Sequence, residues 1–268
     1  METKMNNILL VPTDFSEVGN NAIDMAAKAA QLLKYKVCLL NVVDSDNEEV
    51  KEKLENLAAQ VKAKFEVEVQ TMVRKGSIFS TIGEVAKDIG ANLLFMGTHG
   101  KVGMQKVTGS FALKVVTSSE APVIIVQKRP FERTFKDIVL PITSDYGPWE
   151  KTKWAEYIAN EFNAKIHIYQ LNTESINKAV DSITKHFDES NVAYTVKVAE
   201  KSGSFEKQVV DYATATNSEL IMIMTNPSKG ISSFILGSYD EDIIFNTSQI
   251  PVMCINPRDV NWKKIVSR

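Results

Sequence analysis

Residues 92–111 read NLLFMGTHGKVGMQKVTGSF. The opening run NLLFMG (92–97) is continuously apolar and too short for a helix, which predicts a buried strand covered on both faces. It leads into glycines at 97, 100, 103 and 109, and Gly109-Ser110 then reads as the start of a helix running to about Ser118. A glycine-rich turn between a buried strand and a helix lets backbone amides approach an anion closely. The helix start adds free N–H groups and the positive end of its dipole. Lys101 and Lys106 add positive charge, and no acid follows until Glu120. In an open parallel sheet, ligands bind beyond the carboxyl ends of the strands, where the winding reverses.

Working outward, short apolar runs alternate with amphipathic ones. NILLVP (7–12), KVCLLNVVD (36–44) and PVIIVQ (122–127) read as buried strands. FEVEVQTMV (65–73) alternates apolar and polar residues and predicts a strand at or near a sheet edge. Ser16 to Leu33, Glu49 to about Lys64 and Ser77 to Asp88 carry apolar residues at helical spacing. Five strands joined by four helices predict an α/β fold: an open parallel sheet with helices on both faces, Rossmann-like, with right-handed crossovers. The pattern then repeats. NILLVPT (7–13) returns as DIVLPIT (137–143), NLLFM (92–96) as LIMIM (220–224), and APVIIVQ (121–127) as IPVMCIN (250–256). Pro12 and Pro141 lie 129 apart, Gly76 and Gly203 127, Gly109 and Gly237 128. A near-constant offset predicts two tandem five-stranded lobes, 1–130 and 131–268, joined in the polar stretch QKRPFERTFK (127–136).

Composition excludes several classes. The chain has 268 residues, 44% hydrophobic and 24% charged, with a formal net charge of -2. Residues 1–130 hold 16 basic and 15 acidic side chains, and 131–268 hold 15 and 18. Neither lobe is a basic arm, which argues against a nucleic-acid partner. No apolar run approaches the ~20 residues of a spanning helix, and the first residues do not read as a secretory signal. A cytoplasmic protein without a membrane role is expected. Cys38 and Cys254 sit in apolar runs and are expected to be buried thiols. His99, His167 and His186 are too scattered to suggest a metal. Trp154, Ile158 and Phe162, at four-residue spacing, read as a core stripe.

The glycine segment matches neither the P-loop nor the dinucleotide fingerprint. It resembles the universal stress protein family, whose mark is Gly-x-x-Gly, about nine residues, then Gly-Ser/Thr. A Pro-x-Asp follows the first strand, and a Val-Val-Asp-like segment closes the second. Here these are Gly97, Gly100, Gly109-Ser110, Pro12-Thr13-Asp14 and Asn41-Val42-Val43-Asp44, and the resemblance spans nearly the whole chain as two copies. It implies an adenine nucleotide alpha hydrolase-like fold and a stress-response role regulated by an adenine nucleotide, with Mg²⁺ as a companion of the phosphates. It points to Pro12, Thr13, Asp14, Val42, Gly97, His99, Gly100, Gly109, Ser110 and Phe111 as the nucleotide site. It also implies pairing of the lobes through their last strands as an intrachain pseudo-dimer, with a homodimer of such chains and an unnamed protein partner left open. No catalytic or metal-ligating set is assigned.

One departure stands out: eight residues (101–108), not nine, separate Gly100 from Gly109. ATP, ADP, AMP and no nucleotide all stay open, and a tandem scaffold without nucleotide is the alternative. Asp14 and Ser110 also have plainer readings as helix caps. A slow ATPase is a third reading, although no G-x-S-x-G elbow is present. In the second lobe Thr225-Asn226-Pro227-Ser228 replaces the glycine loop and Thr143 stands for Asp14. Asp240, Glu241 and Asp242 follow Gly237-Ser238, and these acids are expected to repel a phosphate. That lobe is expected to be structural.

Overall fold

The computed structural model describes residues 6–98, 106–130, 135–143, 148–225 and 238–256. They divide into two compact units whose border lies near residue 132.

The first unit runs β1 (Ile8–Pro12), α1 (Glu17–Leu33), β2 (Lys36–Val43), α2 (Glu48–Phe65), β3 (Val69–Lys75), α3 (Ile78–Asp88), β4 (Leu93–Gly97), α4 (Lys106–Ser118) and β5 (Val123–Val126). Its strand order is β3-β2-β1-β4-β5, and each of its pairs is parallel. The winding reverses between β1 and β4. α1 packs with α2 and α3 with α4, which covers the two faces of the sheet. Leu9, Leu10, Leu39, Leu40, Leu93, Leu94 and Phe95 form the buried middle layer.

Local chemistry sets the helix limits. Ser16, Asn47 and Ser77 cap α1, α2 and α3 by accepting the amides of Gly19, Val50 and Phe79. Lys34 and Glu66 end α1 and α2 in the left-handed region, at φ 56 and 55. The third strand departs from expectation: Phe65 belongs to α2, and β3 starts only at Val69. The stripe Leu54, Ala58, Val61, Phe65 extends the buried face of α2 by one more turn, so helix packing claims the first residues of the alternating run. β3 lies at the sheet edge, as the alternation required, with Gln70, Thr71, Arg74 and Lys75 exposed.

The second unit repeats the plan: β6 (Asp137–Ile142), α5 (Pro148–Phe162), β7 (Lys165–Gln170), α6 (Glu174–Glu189), β8 (Tyr194–Val198), α7 (Phe205–Ala215), β9 (Leu220–Met224), α8 (Ser238–Ile244) and β10 (Val252–Ile255). Its order is β8-β7-β6-β9-β10, again parallel throughout. Trp154, Ile158 and Phe162 are all buried, as a core stripe should be. Among the described residues no helix is long and apolar enough to cross a membrane.

Candidate functional site

The site of the first lobe starts at the carboxyl end of β1. Pro12 pairs with Leu40, and Leu10 with Leu94. Continuing those registers sets Asp14 level with Val42 and Thr13 level with Gly97. The expected residues of three neighbouring strands therefore meet at the switch point, one layer past the sheet. Thr13 is tied on every side. Its N–H donates to Leu40 O at 2.8 Å, its carbonyl accepts from Asn41 Nδ2 at 2.7 Å, and its Oγ1 accepts from Phe15 N–H at 3.0 Å. Asp14 is exposed, and its Oδ1 accepts the N–H of Ser16 at 3.0 Å. Asp14 is thus not the cap of α1, a place taken by Ser16; one of its oxygens braces the turn that leads into the helix. Phe15, between them, has φ 63, an uncommon setting for a bulky side chain, and the Lys53 ammonium lies 4.3 Å above its ring. Strain of this kind concentrates where a turn must hold one shape.

Gly97 closes the site from β4. A Cβ there would lie 2.4 Å from Val18 O and 2.7 Å from Gly19 N, so the first turn of α1 rests directly on it. The glycine is demanded by helix–strand packing at the switch point, whatever binds above it.

Beside this edge opens a cleft of about 520 Å³, lined by Val42 and Phe111 together with Asp44, Lys75, Ser77 and Phe79. Two residues of the expected site thus share one cavity. Phe111 stacks on Phe79, ring centroids 4.9 Å apart and planes at 29°, and the Lys114 ammonium sits 4.0 Å from the Phe79 ring. The cleft also takes in the start of α3, whose first turn carries no acid. Gly76 makes that entry possible: its φ is 151, and a Cβ would meet Thr81 Oγ1 at 2.3 Å. Asn41, Gly76, Ser77 and Phe79 are the contributors that sequence reasoning missed. The signal present in the sequence is a glycine followed by a serine just past a strand, Gly76-Ser77, which returns in the second lobe as Gly203-Ser204.

The remaining expected residues stand differently. His99 and Gly100 lie outside the described residues. α4 begins at Lys106, so Gly109-Ser110 are its fourth and fifth residues and not its start. The four N–H groups without an intrahelical acceptor are those of Lys106 to Gly109, and the amide of Ser110 falls within the ladder. Nothing between Lys106 and Thr108 breaks a helix, and one glycine weakens a helix without ending it.

The universal stress protein family model matches residues 5–127. That match takes in the first lobe. Relatives of the chain include universal stress protein MJ0577 of Methanocaldococcus jannaschii, 25% identical over 154 residues, covering 45% of this chain and 94% of the relative. Universal stress protein MJ0531 of the same organism is 29% identical over 138 residues, covering 45% and 81%. The crystal structure of a universal stress protein from Archaeoglobus fulgidus matches with a TM-score of 0.73 at 18% identity, over 93% of this chain and 98% of that one. At that identity the likeness concerns the fold, and its coverage takes in both lobes.

The second lobe treats the same place differently. Thr225, at the carboxyl end of β9, is buried and hydrogen-bonded to the Ile255 carbonyl at 3.2 Å and to Asn256 Oδ1 at 2.5 Å. Asn226, Pro227 and Ser228 lie outside the described residues. Of the three acids of α8 only Asp242 is exposed; Glu241 is half-buried and Asp240 is buried at 3% exposure. The expectation of three acids facing a phosphate is corrected at Asp240, whose carboxylate acts inward on Lys151 of α5. A buried carboxylate with a cation nearby is far less costly than an isolated one.

Proposed function

We propose that the first lobe binds an adenine nucleotide and that occupancy of this site is what the protein reports to a cytoplasmic protein partner. One observation carries the reading: Asp14, Val42 and Gly97 converge at the switch point beside a cleft lined by Val42 and Phe111. That is the place and chemistry an open parallel sheet offers a ligand with a flat ring and an anionic tail. The phosphates would lie toward the start of α4, where four amides lack intrahelical acceptors. Among the described residues no group of three His, Cys, Asp or Glu side chains could hold a metal, so Mg²⁺ enters this reading only with the phosphates. The protein's work is binding, and no residue is assigned to bond-breaking chemistry.

The shortened spacing between Gly100 and Gly109 favours a second reading, a tandem scaffold that binds no nucleotide. Calorimetric titration with ATP, ADP and AMP separates the two. Saturable binding, weakened at least about tenfold in Asp14→Ala and in Gly109→Asp, is the expected result. A folded, unmodified protein that takes up none of the three overturns the nucleotide reading and leaves the scaffold.

A further inference from the structure

β8 ends the sheet of the second lobe, and among the described residues the strand it pairs with is β7 alone. The ladder shows which of its polar groups are left over. The Ile166 N–H donates to Ala193 O, and the Ala199 N–H donates to Gln170 O. The odd-numbered residues of this stretch therefore turn their backbone groups toward β7. Tyr194, Val196 and Val198 turn theirs the other way, to the open edge.

The side chains along that edge are apolar. Val196 is 44% exposed and Val198 41%. They share one face with Tyr194, level with Ile168, Gln170 and Ile166 of β7. α6 meets that face at the start of the strand: the Tyr194 hydroxyl donates to Asp188 Oδ1 at 3.0 Å, and its ring lies 6.0 Å from that of Phe187. Further along, the two valines stay uncovered. The edge of the first lobe is kept differently. α2 packs along β3, and the exposed side chains of β3 are Gln70, Thr71, Arg74 and Lys75. Charge and cover of this kind discourage edge pairing, whereas β8 carries a single charge, Lys197.

The strand also fits itself. An antiparallel copy centred on Val196 sets Val196 opposite Val196, Tyr194 opposite Val198 and Thr195 opposite Lys197. The outward N–H and C=O groups then exchange hydrogen bonds, and valine and aromatic pairs form on one face. Centring on Lys197 would set two ammonium groups opposite each other. Centring on Thr195 would carry Val198 past the strand to Val192, which is buried.

We infer that β8 is a docking edge for a second copy of this chain, paired antiparallel about a twofold axis at Val196. A contact of one short strand a side falls below the ~800 Å² per partner of a standard interface, so the pair forms with rising concentration. The nucleotide reading of the first lobe is independent of this surface.

Sedimentation of the full chain from ~1 to ~200 μM tests it, with a mass rising from one chain toward two as the expected result. Val196→Lys sets like charges on the axis and is expected to weaken association at least about tenfold, with an unmoved unfolding midpoint because the side chain is exposed. Under mild oxidation Val196→Cys is expected to cross-link to its own copy, since directly paired Cα atoms lie ~5.5 Å apart. Lys197→Cys, diagonal to its copy at ~7–8 Å, is expected to cross-link far more slowly. A single chain at every concentration overturns the proposal and leaves the edge to a strand of another protein. Association that survives Val196→Lys, or equal cross-linking at the two positions, overturns it as well.

Discussion

Gly97 shows how one residue can look like a ligand contact and be required for another reason. With Val18 O and Gly19 N inside 3 Å of any added Cβ, the backbone of α1 would have to move to admit even alanine. Gly97→Ala is expected to destabilise the protein by about 1–3 kcal/mol, read as a lower urea midpoint at unchanged slope. Asp14 stands at the other extreme. It is exposed, and the bond it makes to Ser16 N–H is a local turn bond, so its removal should cost stability little. Loss of binding in Asp14→Ala can therefore be read as loss of a contact, whereas the same loss in Gly97→Ala cannot be separated from the shift of α1.

At the scale of elements, hydrogen bonds between side chains join strands that the backbone ladder already aligns. His167 of β7 is buried between Asp137 of β6, with Nε2 to Oδ1 at 2.8 Å, and Thr195 of β8, with Nδ1 to Oγ1 at 2.8 Å. The ring thereby ties three neighbouring strands across one face. His186 of α6 does the same between helices, at 2.8 Å from Glu156 Oε2 of α5. Scatter of the histidines along the chain could not reveal these two clamps, because each partner lies about 30 residues away. His167→Leu removes the partner of both Asp137 and Thr195. It is expected to destabilise the second lobe by about 1–3 kcal/mol, with the unfolding transition moved and the nucleotide affinity of the first lobe unchanged.

For the whole molecule, alkaline pH separates the buried groups. The folded-state value of Lys151, about 8, lies below the ~10.4 of an unfolded lysine, so between those values the unfolded chain binds more protons and stability rises with pH. Burial pushes Cys38 up to about 11 and Cys254 well above the usual thiol range. For these the sign is opposite: the folded chain keeps its protons, and stability falls as pH passes the ordinary thiol value toward the folded one. The contribution of Lys151 is isolated by comparing the unmodified chain with Lys151→Met from pH 8 to 10. Relative to the variant, the unmodified chain should gain stability across this window. Parallel curves would mean that Lys151 titrates as an exposed lysine.

The amino-acid sequence by itself determined the alternation of strands and helices, the duplication, the helix starts near Ser16 and Ser77 and the buried stripes. All of these follow from hydrophobic period and from bonds a few residues long, which need no distant partner. Within the candidate site, position past a strand end marked Asp14 and Gly97, whereas Pro12, Thr13, Val42 and Phe111 were expected only from the resemblance to the universal stress protein family. Only the tertiary structure decided that α3 contributes to the cleft, that Gly97 carries the first turn of α1, that α4 begins at Lys106, and that Asp240 turns inward to Lys151. Register and crossover bring such groups together, and whether a carboxylate repels a ligand or neutralises a lysine depends on which neighbour the fold sets beside it.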